Sequence, residues 1–154
     1  MKYSFSLLLS LFFLFSCSSD DDICVSGEAT PRLKIKFKEG TKDLQVSRII
    51  LDVDYGEGPK NVIDMQRVDS IMVPLRVDNQ DFTDLYVRTS PEASASKIRI
   101  SYTSKSKYVS PACGIKKLYY DLNTQLETSA EVIRLEQAQT TVIDELPTHL
   151  YVVF

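Results

Sequence analysis

The sequence predicts an all-β protein with one domain, folded as an antiparallel sandwich of about eight strands. Two observations lead to this prediction. Apolar residues alternate with polar ones in one short segment after another, and turns rich in Gly, Pro, Asn and Asp separate the segments. A chain of 154 residues, 44% hydrophobic and 25% charged, is long enough to bury a single core. No internal repeat and no linker divides it.

Each predicted strand is a short run with apolar side chains at alternate positions. The first shows the pattern most clearly, because Leu33, Ile35 and Phe37 alternate with basic residues and would all face one side. Pro74 lies inside the third run, where a proline favours a sheet edge or a bulge. The eight runs are residues 32–38, 49–55, 71–77, 82–89, 97–102, 118–122, 132–137 and 150–154.

A helix competes with a strand in one segment, residues 128–140. This segment contains Ala, Glu, Arg, Leu and Gln, but Val132, Ile133 and the flanking threonines favour a strand. With that segment counted as a strand, the number of short strands and tight turns is typical of the immunoglobulin-like type of sandwich.

The charge balance excludes one class of partner. The chain has 18 basic and 21 acidic residues, a net charge of −3, whereas nucleic-acid binding requires a concentrated basic surface. Without Lys2 and the acidic run 20–22, the rest has 17 basic and 18 acidic residues, so the domain itself is nearly neutral. We therefore expect no nucleic-acid partner.

The first 16 residues predict the signal peptide of a lipoprotein. Lys2 supplies a positive end, and the apolar run that follows is too short to span a membrane as a helix. The exit, Leu14-Phe15-Ser16-Cys17, resembles the bacterial lipobox, in which a peptidase cuts before the cysteine and its thiol carries diacylglycerol. An ordinary signal peptide with a chance cysteine is the alternative. On the lipobox interpretation, lipid on Cys17 anchors the protein to a membrane.

Residues 17–22 form the lipidated cysteine and an acidic tether, and the sandwich domain is predicted for 23–154. The tether resembles the surface-export signal of Bacteroidetes lipoproteins, which follows the lipidated cysteine. The residues that match are Ser18, Ser19, Asp20, Asp21 and Asp22. The resemblance implies display on the cell surface at the outer membrane. A solvated spacer on a periplasm-facing lipoprotein is the alternative.

Two cysteines remain once Cys17 is assigned to the lipid. Cys24 and Cys113 would then lie in an oxidising compartment, where an even number of cysteines favours a disulfide. That bond would close a loop of about 90 residues and fasten the segment after the tether to the domain. Two buried thiols or a metal pair are the alternatives, but two cysteines and one distant histidine make a poor zinc set.

No motif points to catalysis. His149, the only histidine, lacks a nucleophile motif, so a structural role is favoured. Asp52, Asp54 and Glu57 form the most site-like cluster, but Glu57 stands where an EF-hand requires glycine, so a strand that ends in a hairpin is favoured over a calcium site. An acidic pair for polysaccharide hydrolysis cannot be selected by spacing. We expect no enzymatic activity, metal or cofactor.

Two features suggest a contact surface. The first strand presents four basic residues on one face, and these could attract an anionic glycan or another acidic partner. They are Arg32, Lys34, Lys36 and Lys38, called the basic stripe below. A solvated face, or a charged sheet edge that prevents aggregation, is the alternative. Tyrosine is also frequent, and the adjacent Tyr119 and Tyr120 would point to opposite faces of a strand, which leaves one available to stack on a sugar.

Four segments together resemble a family of small Bacteroidetes lipoproteins that is catalogued as a domain of unknown function. The most specific are the Asp-Ile-Cys opening and the Ser-Pro-Ala-Cys-Gly segment. The four segments are residues 21–24, 30–37, 109–114 and 149–154. The resemblance implies an envelope location and supports the pairing of Cys24 with Cys113, but it implies no activity.

The function expected from the sequence is that of a non-enzymatic outer-membrane lipoprotein that binds or supports an envelope component through its sheet edges or loops. The partner would be an envelope protein or a glycan. The alternatives are a glycan-binding surface module and a hydrolase that cuts envelope polysaccharide with an acidic pair.

Overall fold

The structure, a computed structural model, describes residues 29–111 and 113–154. This part of the chain contains ten strands and no helix, so the predicted all-β class is confirmed. The strands form two five-stranded sheets that enclose one apolar core, as expected of a β-sandwich. They are β1 Leu33–Glu39, β2 Lys42–Asp43, β3 Val46–Asp54, β4 Pro59–Val68, β5 Ser70–Val73, β6 Phe82–Arg88, β7 Ser96–Ser110, β8 Gly114–Thr128, β9 Arg134–Gln137 and β10 Leu150–Val153.

The first sheet, sheet A, is built around β1. This strand pairs with β10 on one side and with β5 and the short β2 on the other, while β9 pairs with the far side of β10. The β1–β10 pair is parallel, with Ile35 opposite Leu150, and the other pairs of sheet A are antiparallel. Because β1 has neighbours on both sides, the interpretation of its basic stripe as a charged sheet edge is wrong.

The second sheet, sheet B, is antiparallel throughout and has the order β4, β3, β6, β7, β8. One edge, β4, has no neighbouring strand on its outer side within the described residues. The segment after β9 covers the other edge: the Leu122 amide donates to the Thr140 carbonyl (2.9 Å), and Tyr119 exchanges two backbone hydrogen bonds with Val142. Sheet B therefore has one covered edge and one open edge.

The core lies between the two sheets and consists of the alternate positions that the sequence marks. Leu33, Ile35 and Phe37 of β1 are buried, whereas the lysines between them are partly exposed. Burial of each such side chain stabilises the fold by about 1.5–3 kcal/mol. The partners of these residues come from both sheets: Ile49, Leu51, Val53, Ile71, Val73, Leu85, Val87, Ile98, Ile100, Leu150 and Val152.

The chain crosses from sheet B to sheet A between β4 and β5. Arg67 adopts a left-handed conformation there, with φ 53°, and the Asp69 carbonyl accepts a hydrogen bond from the Phe37 amide of β1. β5 ends at Val73 because Pro74 follows and cannot donate to the ladder. The strand predicted for 71–77 is therefore too long at its carboxyl end.

The segment in which a helix competed with a strand contains β9 and a turn. Ser96 holds that turn, because its buried hydroxyl oxygen accepts three backbone amide hydrogen bonds, each 3.0 Å long, from Ala130, Glu131 and Val132. The described residues include no helix long and apolar enough to cross a membrane.

β7 and β8 are fifteen residues long, far longer than predicted, and their outer halves leave the sandwich. The change occurs at Tyr102, where the register shifts and β8 contains one extra residue, with Asp121 at φ 55°. Such a bulge bends a strand and increases its twist. Before the bulge β7 alternates between core and solvent, and after it β7 is largely exposed, whereas β8 is mostly half-buried.

Candidate functional site

The most prominent surface feature is the hairpin of residues 103–118, called the arm below. β6 begins opposite Ser101, so beyond that point the only strand beside β7 in the described residues is β8. A two-stranded ribbon is marginally stable by itself. The contacts at its base therefore decide whether the arm has a fixed direction.

Two tyrosines fasten the base of the arm to the sandwich. Tyr119 is 0% exposed, and its hydroxyl donates to the Arg76 carbonyl at 3.1 Å. Its ring meets that of Tyr102 edge-on, with 4.8 Å between centroids. The Tyr102 hydroxyl in turn lies 2.7 Å from the Thr83 hydroxyl. Burial raises the pKa of both tyrosines, so both phenols stay protonated and remain able to donate hydrogen bonds.

The tip of the arm presents an exposed apolar pair. Tyr108 and Ile115 lie opposite each other in the ladder and are 63% and 65% exposed. The turn beyond them is closed by Gly114, at φ 68°, and by a hydrogen bond from the Cys113 amide to the Ser110 hydroxyl. Exposed aromatic and aliphatic side chains side by side are typical of a contact surface.

The arm is also the most one-sidedly charged part of the described chain. Residues 103–118 include four lysines and no acidic residue. The Lys105 ammonium lies 5.0 Å from the centre of the Tyr120 ring, and Lys107 is exposed. Lys117 donates to the Asn79 side chain at 2.5 Å. The arm thus combines basic sides with an apolar tip.

The amino-terminal segment of the domain meets the arm. The backbone amide of Lys117 donates to the Thr30 hydroxyl at 3.0 Å. Residues 29–32 and 143–146 line a groove of 660 Å³ at the same end of the sandwich. Exposed apolar side chains gather there, and we call this region the arm end. They are Val77, Tyr108, Ile115, Ile143 and Leu146.

The basic stripe has partners in sheet A and in the segment between β9 and β10. Arg32 makes a two-pronged ion pair with Glu145 (2.7 and 2.8 Å), and Lys38 contacts Glu136 at 2.6 Å. Lys34 donates to the Leu146 carbonyl, and Lys36 lies 3.9 Å from a carboxylate oxygen of Asp43. An anionic ligand would compete with these contacts, so the stripe is a less available cationic surface than the exposed Lys105 and Lys107 of the arm.

A dense ion-pair network covers the outer face of sheet B. The buried carboxylate of Asp84 accepts two hydrogen bonds from Arg99 (2.7 and 2.8 Å). It also forms an ion pair with Lys97. Glu127 pairs with the same two cations. The hydrogen bonds from Arg99 are the main reason why the pKa of Asp84 is lowered. Asp84 is therefore held in its ionised form.

The acidic cluster after β3 supports a turn. The Asp54 carboxylate accepts hydrogen bonds from the amides of Gly56 and Gly58, and both glycines have positive φ values that favour glycine. Asp52 is paired with Arg88 (2.7 Å) and with the Asn61 side chain. The predicted strand that ends in a hairpin is confirmed, with β3 and β4 as its two strands.

His149 is 1% exposed and lies between β1 and the loop before β10. Its Nδ1 accepts the Lys34 amide at 2.9 Å, so the ring proton belongs on Nε2, which has no hydrogen-bond partner within the described residues. Desolvation is the largest effect on the pKa of His149 and lowers it, while the nearby Asp144 opposes the shift. The side chain joins two segments as a neutral hydrogen-bond acceptor.

This geometry predicts a pH-dependent contribution of His149 to stability. In the unfolded state the pKa of the histidine is about 6.5, and burial lowers the pKa of His149 in the folded state. As the pH is lowered, the unfolded state therefore binds the proton before the folded state does. The contribution of neutral His149 to the free energy of unfolding is thus present above about pH 6.5 and is lost as the pH falls through the folded pKa. Urea denaturation between pH 8 and pH 5 should show a larger loss for the wild type than for His149→Asn, whose side-chain oxygen can still accept the Lys34 amide. If the free energy of unfolding decreased equally with pH in both proteins, the assignment of His149 as a neutral, buried side chain would be contradicted.

Several predicted site residues lie outside the described part of the chain. They are Cys17, the five tether residues Ser18, Ser19, Asp20, Asp21 and Asp22, and Cys24. Cys113 lies in the turn at the tip of the arm. Because Cys24 is outside the described residues, its pairing with Cys113 stays a prediction.

The arm is the part of the candidate site that the strand prediction missed. The polar sequence 103–107 interrupts the alternation of apolar residues, so the predicted strands stop short of it on both sides. One signal was available: a run of sixteen residues with four lysines and no acid, in a domain that is nearly neutral as a whole.

Comparison with known proteins identifies one family. A family model described as a family of unknown function (DUF6452) matches residues 52–154, about two thirds of the chain, including the arm and the carboxyl-terminal strand. No curated protein and no solved structure matches the chain.

Proposed function

The chain belongs to the DUF6452 family, and from that premise we propose that it is a non-enzymatic lipoprotein of the Bacteroidetes outer membrane. It acts as a binding or accessory module for another component of the envelope. The observation that supports a binding role most strongly is the outer edge of β4 in sheet B. This ten-residue strand has no neighbour on that side among the described residues, so its edge can accept a strand from a partner.

The anchor in this proposal is diacylglycerol on Cys17. The apolar run ends at a lipobox-like sequence, and the domain follows after a short tether. The tether residues Ser18 to Asp22 would direct the lipoprotein to the cell surface. If they act only as a spacer, the domain faces the periplasm. Protease added to intact and to lysed cells distinguishes the two locations, because only a surface domain is cleaved before lysis.

The edge strand β4 has the properties of a contact edge. Val62 and Met65 are exposed apolar side chains on it, and no other strand of the described chain covers them. Pro59 and the charged Lys60 and Arg67 lie near its ends. Charges and proline protect an edge from uncontrolled pairing, whereas the middle stays available for a specific partner.

A glycan-binding module is the alternative with a specific observation in its favour. Tyr108 is the large aromatic side chain most exposed in the described chain, and lysines surround it. An aromatic ring beside cations suits an acidic sugar. On this alternative the arm, and not the β4 edge, would contact the ligand.

The acids that the fold buries argue against hydrolysis. A glycosidase requires one carboxyl group with a raised pKa as general acid. The two buried carboxylates of the described chain, Asp52 and Asp84, are both paired with arginine, and the pKa of Asp84 is lowered. These contacts support the non-enzymatic proposal.

The test is capture of partners from detergent-solubilised envelopes by the tagged, lipidated protein. We expect one envelope protein to copurify in stoichiometric amount. The double substitution Val62→Lys and Met65→Lys should reduce its recovery at least about tenfold, a loss of about 1.4 kcal/mol in binding.

The control is Ile133→Lys, which places one lysine at an exposed apolar position outside β4. It should leave recovery unchanged. Equal recovery with the double variant would contradict the edge as the contact. Retention of an envelope glycan without any protein would favour the glycan-binding alternative.

A further inference from the structure

We propose that the tip of the arm enters the anionic surface of the membrane that holds the lipid anchor. Lys105 and Lys107 contact lipid phosphates, and the apolar pair Tyr108 and Ile115 enters the headgroup layer. The inference depends on the proposed lipid anchor and adds a second contact, which sets how the domain is oriented on the membrane.

The first step is the position of the tether. Thr30 is hydrogen-bonded to Lys117 of the arm, so the chain that leads back to the lipidated cysteine starts beside the arm. Thr30 and Cys17 are separated by 13 residues, which span at most about 45 Å when fully extended. From Lys117 to the turn at Gly114 the arm extends only about 10 Å further. The tip is therefore within reach of the membrane that anchors Cys17.

The second step is charge. The arm has no acidic residue, and two of its four lysines, Lys105 and Lys107, are exposed. The cations of the basic stripe, in contrast, already contact carboxylates or a carbonyl. A basic segment next to a membrane anchor is attracted by anionic lipids over a distance of about one Debye length.

The third step is the apolar tip. Tyrosine is enriched where membranes meet water, since its ring is apolar and its hydroxyl remains hydrated. Tyr108 and Ile115 face each other across the ladder and are both mostly exposed. Further apolar side chains at the arm end, Ile143 and Leu146 among them, are exposed at the same end of the sandwich. A membrane is the partner that matches an apolar tip, basic sides and an adjacent lipid tether.

The experiment uses the lipidated protein in vesicles of phosphatidylcholine alone or of equal parts phosphatidylcholine and phosphatidylglycerol. Brief trypsin treatment and peptide mass spectrometry measure cleavage after Lys107, in the arm, and after Lys42, which is exposed at the opposite end of the sandwich. We expect cleavage after Lys107 to slow at least about tenfold on the anionic vesicles and to recover in 1 M salt, where the Debye length falls to about 3 Å. Cleavage after Lys42 should stay unchanged.

A variant separates the charge from the anchor. Lys105→Gln keeps the trypsin site at Lys107 but removes one cation, and it should lose part of the protection. Arg67→Gln, an exposed cation outside the arm, should keep it. Equal cleavage after Lys107 on both kinds of vesicle, with the protein bound to both, would overturn the arm contact and leave the anchor intact. Failure to bind the neutral vesicles at all would overturn the anchor and, with it, this inference.

Discussion

Replacing Tyr119 with alanine should destabilise the domain by about 3–5 kcal/mol, the range for truncation of a large buried aromatic side chain. Tyr119 is fully buried, packs edge-on against Tyr102 and donates to the Arg76 carbonyl. A loss of this size is a large part of the total stability of an ordinary domain. Thermal unfolding should show a decrease in Tm of roughly 10 °C or more.

Two matched variants separate the parts of this effect. Tyr119→Phe removes only the hydroxyl and should cost about 1 kcal/mol, the net worth of one hydrogen bond. Tyr120→Ala removes the same ring from the next residue, on the opposite and more exposed face of β8, and should cost no more than about 1 kcal/mol. If Tyr120→Ala proved as costly as Tyr119→Ala, the register of β8 would be wrong.

The sequence predicted the fold where local alternation is strong. Leu33, Ile35 and Phe37 all face the core as expected, and the adjacent Tyr119 and Tyr120 face opposite sides. The turn after β3 was also readable, because Asp54 and two glycines specify it locally. In each case the decisive interactions lie within a few residues of one another in the chain.

The features that were missed have no local signal in the sequence. β4 is exposed at nearly every position, so its residues show no alternation of apolar and polar types, although the strand pairs fully with β3. The parallel pairing of β1 with β10 joins residues at the two ends of the domain and has no local signal. The ion pairs of the basic stripe also join residues far apart in the chain, since Glu145 lies 113 positions after Arg32.

The arm was missed for a different reason. Its strands extend an existing hairpin, and a hairpin that leaves the core no longer needs apolar residues at alternate positions. The bulge at Asp121, where the arm begins, likewise has no sequence signature. Only the charge of the segment was informative, because all four lysines occur without an acid.

The second large effect concerns the anchor. Substitution of Cys17 by alanine removes the thiol that the proposal assigns to the lipid, so the protein should lose its acyl chains completely. Each buried methylene contributes about 0.8 kcal/mol to membrane binding, and two or three chains together hold a protein firmly. The effect on attachment is therefore all or none, unlike the graded effects of substitutions in the core.

The proposed function and the contact of the arm with the membrane both depend on lipid attachment at Cys17, which metabolic labelling with an alkyne-tagged fatty acid measures. We expect label in the wild type and in Cys24→Ala, since Cys24 is assigned to a disulfide, and no label in Cys17→Ala. A labelled Cys17→Ala protein, or a wild type without label, would contradict the lipoprotein assignment and everything that depends on it.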